Sequence, residues 1–276
     1  MHKMEKINRR TWSNPLDRRY YRKSKGYLNH GERTVFEAAL ERGGYGTTLD
    51  IGVGGGRTAA LLVPVVRDYV GIDYTPEMTA LARSNYPGFD FRTMDARDLS
   101  AFPDGHFDLV VFSYNGIDSV GPEGREAILR EVSRVLKPTG AFAFSTFNRN
   151  WTGFVGSRAG AGVAWTPDPL RLAYRLVMHG LGRVRRRLYM PLEQREGEHA
   201  ILLHPAHNFG IMVYTTTPSQ LRAQLAAAGF AGDPDLYSDD GARLSSGTLA
   251  EVEQFHVLAF KQLPGWPRTS GSMPTA

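Results

Sequence analysis

The chain has 276 residues, of which 42% are hydrophobic, as expected for one domain with an insertion or for two small domains. It contains no cysteine, which excludes disulfides, thiolate metal sites and a cysteine nucleophile. The net charge of +5 is uneven, because residues 1–25 carry nine Lys/Arg and two Asp/Glu whereas residues 26–150 carry 12 and 16. This mildly acidic centre argues against a broad nucleic-acid-binding face.

Composition also predicts the location and the two ends of the chain. No window approaches the roughly 20 apolar residues that span a bilayer, and the polar, basic N-terminus lacks the apolar segment of a secretory signal. We therefore expect a cytoplasmic protein with no membrane span. Residues 1–31 are interpreted as a basic, aromatic arm, and residues 264–276 as a disordered tail.

Residues 32–149 alternate between strand and helix patterns. In chain order, they predict a helix over 32–42, a strand at Thr47–Ile51, a helix at Thr58–Val66, a strand at Tyr69–Ile72, a helix at Glu77–Asn85, strands at Phe89–Met94 and Asp108–Ser113, a helix at Glu123–Leu136 and a strand at Ala141–Phe147. Strand–helix units repeated in this way predict an α/β fold with a doubly wound, mainly parallel sheet.

The rest of the chain is less regular. Residues 150–216 contain a Gly/Pro-rich stretch, a basic amphipathic helix near 169–188 and an apolar run at Gly210–Tyr214, and we interpret them as an insertion. Residues 217–263 then complete the core. They predict a helix at Pro218–Ala228 and strands near Asp235–Ser238 and at Phe255–Phe260.

The sharpest motif is the sequence LDIGVGGG at residues 49–56, between a predicted strand and a predicted helix. Glycines there let the backbone turn tightly and let a ligand approach without Cβ atoms in the way. The spacing Gly54-x-Gly56-x-x-Ala59 also fits a dinucleotide-binding loop, with Asp73 about the right distance on. The glycines alone therefore do not separate NAD from S-adenosylmethionine (SAM), or either from a plain turn.

Acidic residues at the ends of the next strands separate the two cofactors. A carboxylate at Asp73 can accept hydrogen bonds from both ribose hydroxyls. Asp95 can accept an adenine amino hydrogen, while the backbone N–H of Ala96 can bond the ring. Together with Asp50, these residues mark the carboxyl edge of the sheet, where ligands bind in open α/β folds.

These residues resemble the motifs of the class I SAM-dependent methyltransferases, over Thr47–Asn148 and more weakly over Pro218–Lys261. The matching motifs are Asp50-x-Gly52-x-Gly54-x-Gly56, Gly71-Ile72-Asp73, Asp95-Ala96, Phe107-Asp108-Leu109-Val110 and the stretch Leu129–Gly140. Thr139 stands where the family pattern usually has glycine. The resemblance implies a seven-stranded sheet whose last strand is antiparallel. It also implies a small-molecule enzyme in which residues 150–216 form a lid that binds the acceptor.

The resemblance further implies SAM as cofactor and S-adenosylhomocysteine as product. The cofactor residues that we predict are Asp50, Gly52, Gly54, Gly56, Asp73, Tyr74, Met78, Asp95, Ala96, Ser113 and Tyr27. Met78 could pack on the adenine or simply inside the fold. Tyr20, Tyr21 and Tyr27 of the arm could cover the SAM pocket, or only pack the arm on the body.

Three residues are candidates for the chemistry on the acceptor. Tyr114 and Asn115 follow the fourth strand, where they could touch the methionine part of SAM or the acceptor, or form a tight Asn-Gly turn. His207 is our first candidate for a general base, with a purely structural role as the alternative. His204 and His207 are separated by Pro205, and we expect no metal site.

The acceptor is predicted to be a small molecule methylated on oxygen or nitrogen, such as a natural product, a sugar or an anionic metabolite. Residues 113–118 lack the Asn/Asp-Pro-Pro-aromatic motif of enzymes that methylate base or amide nitrogens, and the cysteine used at pyrimidine C5 is absent. An RNA or protein methyltransferase that uses the basic arm is the main alternative, followed by an NAD-dependent oxidoreductase. The arginine cluster at 183–187 fits a solvated face, an anion site or a membrane-surface helix.

Overall fold

The computed structural model describes residues 2–15, 21–22, 26–43, 46–153, 163–245 and 252–261. Predictions for Tyr20 and for the tail at 264–276 lie outside the described residues. Two helices precede the sheet, α1 (Lys3–Ser13) and α2 (His30–Gly43). The arm expected at residues 1–31 thus begins with a regular helix.

Within the described ranges, ten strands hydrogen-bond into one sheet. The strands are β1 (Thr47–Ile51), β2 (Asp68–Asp73), β3 (Asp90–Thr93), β4 (Phe107–Phe112), β5 (Leu136–Asn148), β6 (Gln194–Glu196), β7 (His199–His204), β8 (Ile211–Thr216), β9 (Phe230–Tyr237) and β10 (Gln254–Lys261). Seven of them have the order β3-β2-β1-β4-β5-β10-β9, in which β1 to β5 are parallel and β10 is antiparallel to both neighbours. The predicted doubly wound, mainly parallel sheet with an antiparallel last strand is confirmed.

The remaining helices connect or flank these strands. They are α3 (Ala59–Leu62), α4 (Pro76–Asn85), α5 (Pro122–Val135), α6 (Pro169–Tyr189) and α7 (Pro218–Ala227), with 3₁₀ turns at Gly116–Ser119 and Met190–Leu192. Helix α3 is shorter than predicted, since Pro64 has no N–H to continue the helical bonding. Strand β5 begins five residues earlier than predicted, because Leu136 already pairs with Phe107 across an irregularity in the register.

The apolar core lies on both faces of the sheet. Successive residues of β4 alternate between the two faces. Val110 and Phe112 belong to the cluster under α5 and α7, whereas Leu109 and Val111 belong to the cluster under α2. Because helices cover both faces of the sheet, a ligand site has to lie at the sheet edge, among the loops that follow the parallel strands.

Residues of the insertion extend the same sheet. Strands β6, β7 and β8 form an antiparallel meander, and β8 pairs in parallel with the end of β5 at Phe147 and Asn148. Helix α1 covers the meander, since Asn8 donates to the backbone oxygen and accepts from the backbone N–H of Met212, both at 2.8 Å. No helix in the described ranges combines the length and apolar character needed to cross a bilayer.

Candidate active site

The glycine loop after β1 and the carboxylate of Asp73 form one hydrogen-bonded unit. The backbone N–H groups of Gly52 and Val53 donate to the carbonyl oxygen of Ile72, at 2.8 and 3.1 Å. The N–H of Gly54 donates to one oxygen of Asp73 at 3.0 Å, and the N–H of Thr75 donates to the other at 2.8 Å. The loop is therefore held against the end of β2.

Glycine is required in this loop for two reasons. Gly52 and Gly54 have φ angles of +69° and +52°, in the left-handed region that other residues rarely adopt. A Cβ atom on Gly52 would lie 2.7 Å from the ring of Phe112, whereas one on Gly54 would meet only the ring of Tyr21, at 3.4 Å. Gly52 thus permits close packing, and Gly54 leaves a ligand access to the backbone.

Asp73 carries an electrostatic cost in the ligand-free protein. Burial raises its pKa to about 6, although the N–H groups of Thr75 and Gly54 partly offset this effect. Ligand hydroxyl groups that donate to the carboxylate would favour its charged form. The site is therefore suited to a ribose diol.

Asp50 has a different role from the one predicted. Its fully buried carboxylate accepts hydrogen bonds from the hydroxyl groups of Thr58 and Tyr69, and it does not line the cavity beside the loop. Burial raises its pKa to about 6. Asp50 therefore stands behind the glycine loop and fastens it to β2 instead of facing a ligand.

Asp95 lies at the far end of the site. Burial alone would raise its pKa, but hydrogen bonds from the Arg97 side chain outweigh this effect and hold the pKa below its usual value. Arg97 also donates to Glu5 of α1 at 2.9 Å. The carboxylate is thus charged and fixed in orientation, as a hydrogen-bond acceptor for an adenine amino group needs to be.

A cavity of about 820 Å³, counted with its open mouth, connects these groups. Nine of the predicted site residues line it: Gly52, Gly54, Asp73, Tyr74, Met78, Asp95, Ala96, Ser113 and Tyr114. Five do not: Asp50, Gly56, Tyr27, Asn115 and His207. Within the described part of the chain, no residue of 163–216 lines the cavity, so this part of the insertion approaches it through other side chains such as Tyr21.

Tyr114 and Asn115 form a strained turn at the end of β4. Both are left-handed, with φ angles of 54° and 57°. The turn is held by the N–H of Asn115, which donates to Ser145 at 2.7 Å, and by its side-chain amide, which donates to Gln254. Asn115 therefore supports the turn, while Tyr114, 65% exposed, lines the cavity.

Arg57 explains why Tyr27 lies outside the cavity. Its guanidinium group forms two hydrogen bonds to the buried carboxylate of Glu32, at 2.6 and 2.9 Å. The same group lies 5.0 Å from the ring centroids of both Tyr27 and Tyr114. Arg57 thus joins the glycine loop, α2 and the Tyr114 turn at the mouth of the site.

His207 contacts the site through Tyr21. The Tyr21 hydroxyl lies 3.2 Å from Nε2 of His207, and the two rings are parallel to within 8° with centroids 5.9 Å apart. Tyr21 lines the cavity beside Gly54. His207 belongs to a left-handed turn with Asn208 and Phe209, with φ angles of 52–57°, and Arg185 donates to its carbonyl oxygen at 2.7 Å.

Sequence reasoning missed two features of the site. Trp12 of α1 lines the cavity and packs edge-on against Tyr74, with ring centroids 5.9 Å apart. Asp118, in the 3₁₀ turn beside the cavity, forms a fully buried ion pair with Arg125. The aromatic residues of the arm were a signal for Trp12. The Asp118–Arg125 pair had no signal, because the two residues are seven positions apart and Asp118 lies on an irregular segment.

Comparisons with known proteins identify the fold and the loop. A family described as a methyltransferase domain matches residues 49–144, which carry the glycine loop, Asp73 and Asp95. An uncharacterized methyltransferase of Synechocystis sp. is 35% identical over 105 residues, covering 37% of this chain and 49% of that protein. A ubiquinone biosynthesis O-methyltransferase of Xanthomonas oryzae pv. oryzae is 32% identical over 117 residues, covering 41% and 48%. Residues 49–144 therefore match a methyltransferase domain, and the chain is similar over that region to SAM-dependent methyltransferases.

The likeness extends to solved methyltransferase structures. The 1,6-didemethyltoxoflavin-N1-methyltransferase of Burkholderia thailandensis, solved with S-adenosylhomocysteine, matches with a TM-score of 0.52 and 16% identity, covering 85% of this chain and 79% of that one. This likeness shows the fold alone. The chain spans about half the length of the two curated relatives named above.

The geometry of this site is compatible with SAM. Gly54 presents backbone without a Cβ atom to the cavity, Asp73 is a buried carboxylate in its wall, and Asp95 is a fixed acceptor farther along. The apolar side chains of Met78 and Met94 line the space between them. Among the described residues, no group of three or more His, Cys, Asp or Glu side chains is placed to hold a metal ion.

Proposed function

We propose that this protein transfers a methyl group from SAM to an oxygen or nitrogen atom of a small-molecule acceptor. The observation that carries the proposal is the contact of His207 with Tyr21. That contact brings a proton acceptor to the mouth of the same cavity that holds Asp73 and the glycine loop. Acceptor hydroxyl and ammonium groups both need to lose a proton when they are methylated.

SAM supplies a methyl group on a sulfonium, which is a good leaving group. The protein therefore has to bind, align and exclude water rather than activate the donor. Asp73 and Asp95 hold the two ends of the nucleoside. Trp12, Tyr21 and Tyr114 close the cavity from the side of the arm and of β4.

Tyr21 and His207 manage the proton. The Tyr21 hydroxyl lies 3.2 Å from Nε2 of His207. With His207 neutral and its proton on Nδ1, Nε2 accepts from this hydroxyl, whose oxygen can take a proton from the acceptor as its own proton passes to the imidazole. Imidazole groups titrate near neutral pH and can return that proton to water. His207 thus acts as the base through Tyr21 and does not contact the acceptor itself.

Relatives support a small acceptor. Two of the named proteins are an O-methyltransferase of ubiquinone biosynthesis and a methyltransferase acting on 1,6-didemethyltoxoflavin. We infer an acceptor of similar size, for which a natural product, a sugar and an anionic metabolite are the classes to screen. Residues 150–216 are assigned to its side of the site, because the turn at Ala206–Phe209 carries His207.

A double-mutant cycle on Tyr21 and His207 tests this function. Each of Tyr21→Phe and His207→Ala should lower kcat on the native acceptor by about 10²–10⁴-fold, the usual worth of a general base. The double variant should lose no more than either single variant, because the two groups act as one relay. SAM affinity, measured by calorimetry, should stay close to that of the wild type.

The pH profile separates the relay from a structural role. Wild-type kcat should rise with pH through the range in which imidazole loses its proton, and His207→Ala should lack this limb. A drop of less than about threefold in kcat with the limb intact would remove His207 and leave alignment as the only catalytic device. An RNA or protein acceptor, the second candidate, is favoured by the nine Lys/Arg in residues 1–25 and predicts salt-dependent binding of polyanions.

A further inference from the structure

Helix α6 presents an apolar stripe to solvent. Leu170, Val177, Val184 and Leu188 are 82%, 68%, 56% and 60% exposed. Their spacings of seven, seven and four residues place them on one face of the helix. The face turned towards the protein instead carries Met178, which is buried. The stripe therefore does not belong to the core of the chain.

Charge on α6 is of one sign. Its 21 residues include six arginines and no Asp or Glu. Arg183 and Arg187 are exposed on the flank of the stripe, and within the described residues neither forms an ion pair. Arg183, Arg186 and Arg187 border an open concavity that also contains Val184. The exposed guanidinium groups of Arg183 and Arg187 thus lie beside exposed aliphatic side chains.

An anionic lipid surface would bind both the exposed apolar stripe and the exposed arginines of α6. Aliphatic side chains gain free energy by leaving water, and guanidinium groups bind phosphate. A polyanion such as RNA would bind the arginines but leave Leu170 and Val177 in water. We propose that α6 lies on an anionic lipid surface, with its stripe at the boundary of the acyl chains and Arg183 and Arg187 at the lipid phosphates.

Two further observations agree with this orientation. Trp165, 77% exposed, precedes the helix on the chain, and tryptophan favours the level of the lipid headgroups. At about 1.5 Å per residue, 21 residues give a helix of about 32 Å, long enough for several lipids to contact it.

The docked helix is coupled to the candidate active site by one turn. Arg185 donates to the carbonyl oxygen of His207, and the guanidinium group of Arg186 lies 5.9 Å from the ring centroid of Phe209. A membrane contact along α6 would therefore place the mouth of the cavity near the lipid headgroups. The docking itself does not depend on which acceptor the protein methylates.

Vesicle co-sedimentation tests the proposal with the full chain. The wild type should bind vesicles of 70% phosphatidylcholine and 30% phosphatidylglycerol, and bind pure phosphatidylcholine at least tenfold more weakly. Each interfacial arginine contributes about fivefold in affinity, so Arg183→Gln/Arg187→Gln should lower affinity by about 25-fold. Val177→Gln/Val184→Gln should lower it by about tenfold, since it removes only part of the stripe.

Matched controls keep the test specific. Arg67→Gln/Arg130→Gln removes the same two charges from side chains that are 67% and 64% exposed elsewhere, and its vesicle affinity should stay within about twofold of the wild type. Glutamine suits helices, so circular dichroism should show all variants folded.

Several results would overturn the proposal. The first is absence of binding to phosphatidylglycerol vesicles, and the second is equal loss in the control pair and in Arg183→Gln/Arg187→Gln. Preference for a single-stranded RNA homopolymer over vesicles would assign the arginines to a nucleic acid. A wild-type dimer that Val177→Gln/Val184→Gln converts to monomer, without vesicle binding by the wild type, would assign the stripe to a second copy of the chain.

Discussion

Replacing Asp73 with asparagine should both weaken SAM binding and flatten its dependence on pH. The ligand-free carboxyl group has a pKa of about 6 because it is buried. Ribose hydroxyls that donate to it favour the charged form and lower the pKa in the complex. Binding therefore requires that Asp73 be ionised, and wild-type affinity should fall as the pH drops through 6.

The size of the effect follows from this pKa. About ten in eleven wild-type molecules have ionised Asp73 at pH 7, and about one in eleven at pH 5. Affinity for SAM should thus fall about tenfold between these two values. At pH 7, Asp73→Asn loses hydrogen bonds to a charged acceptor, which are worth about 1.5–3 kcal/mol, or roughly 10–150-fold in affinity. The ratio of the wild-type SAM affinity to that of Asp73→Asn should therefore be about tenfold smaller at pH 5 than at pH 7.

Calorimetric titration with SAM from pH 5 to pH 8 measures both quantities. Groups other than Asp73 titrate alike in the two proteins, so the ratio of their affinities isolates this carboxylate. The raised pKa also means that ionised Asp73 destabilises the ligand-free fold as pH rises through about 6. The side-chain amide of Asp73→Asn has one oxygen and cannot replace both carboxylate contacts with the N–H groups of Gly54 and Thr75. It also removes the buried charge that destabilises the fold. Because these effects oppose each other, the melting temperature at pH 7 should not fall by more than a few degrees.

Two outcomes would refute this reasoning. A ratio of affinities that stays constant from pH 5 to pH 8 would show that Asp73 does not change its ionisation on binding. Wild-type affinity in the variant at pH 7 would remove Asp73 from the cofactor site altogether.

Three further substitutions probe the site and its support. Gly54→Val should abolish SAM binding. Gly105→Val is the control, because Gly105 has a similar φ of +62° and no atom within 4 Å of its Cβ position, and this variant should bind SAM normally. Equal loss of SAM binding in both variants would point to backbone strain alone. Asn115→Ala should be about 1 kcal/mol less stable in urea unfolding than Asn115→Gly, which tolerates a φ of 57°, and the reverse order would contradict the strained turn. Asp118→Ala should cost about 3–5 kcal/mol because it leaves Arg125 buried without its partner, and a loss below about 1 kcal/mol would show that water or another group replaces the pair.

The sheet, and the meeting of the glycine loop with Asp73 and Asp95 beside one cavity, could be predicted from the sequence for a local reason. Asp73 is the last residue of β2, and Gly54 and Asp95 lie within three residues after β1 and β3, so their position along the chain determines their place at the carboxyl edge of a parallel sheet. Asp50 is the instructive exception. It lies one residue before the end of β1, where the alternation of a strand turns its side chain towards Thr58 and Tyr69.

The acceptor end could not be predicted in the same way, because it depends on contacts between distant segments. Tyr21 and His207 are separated by 186 residues, and Asn115 and Gln254 by 139. Neither pair leaves a periodic pattern in the sequence. The exposed stripe of α6 shows the same limit, since amphipathicity identifies an apolar face but not whether the fold covers it.

Backbone strain connects the candidate catalytic residues with the architecture around them. In the described part of the chain, the non-glycine residues with positive φ are Tyr114, Asn115 and the turn His207–Phe209. Such conformations cost on the order of 1–3 kcal/mol per residue and persist only where surrounding contacts enforce them. Ser145 and Gln254 hold the first turn, and Tyr21 and Arg185 contact the second. Both turns carry a residue chosen from the sequence for the acceptor chemistry, and strained backbone of this kind clusters at functional sites, so the two turns are the first places to test for contact with the acceptor.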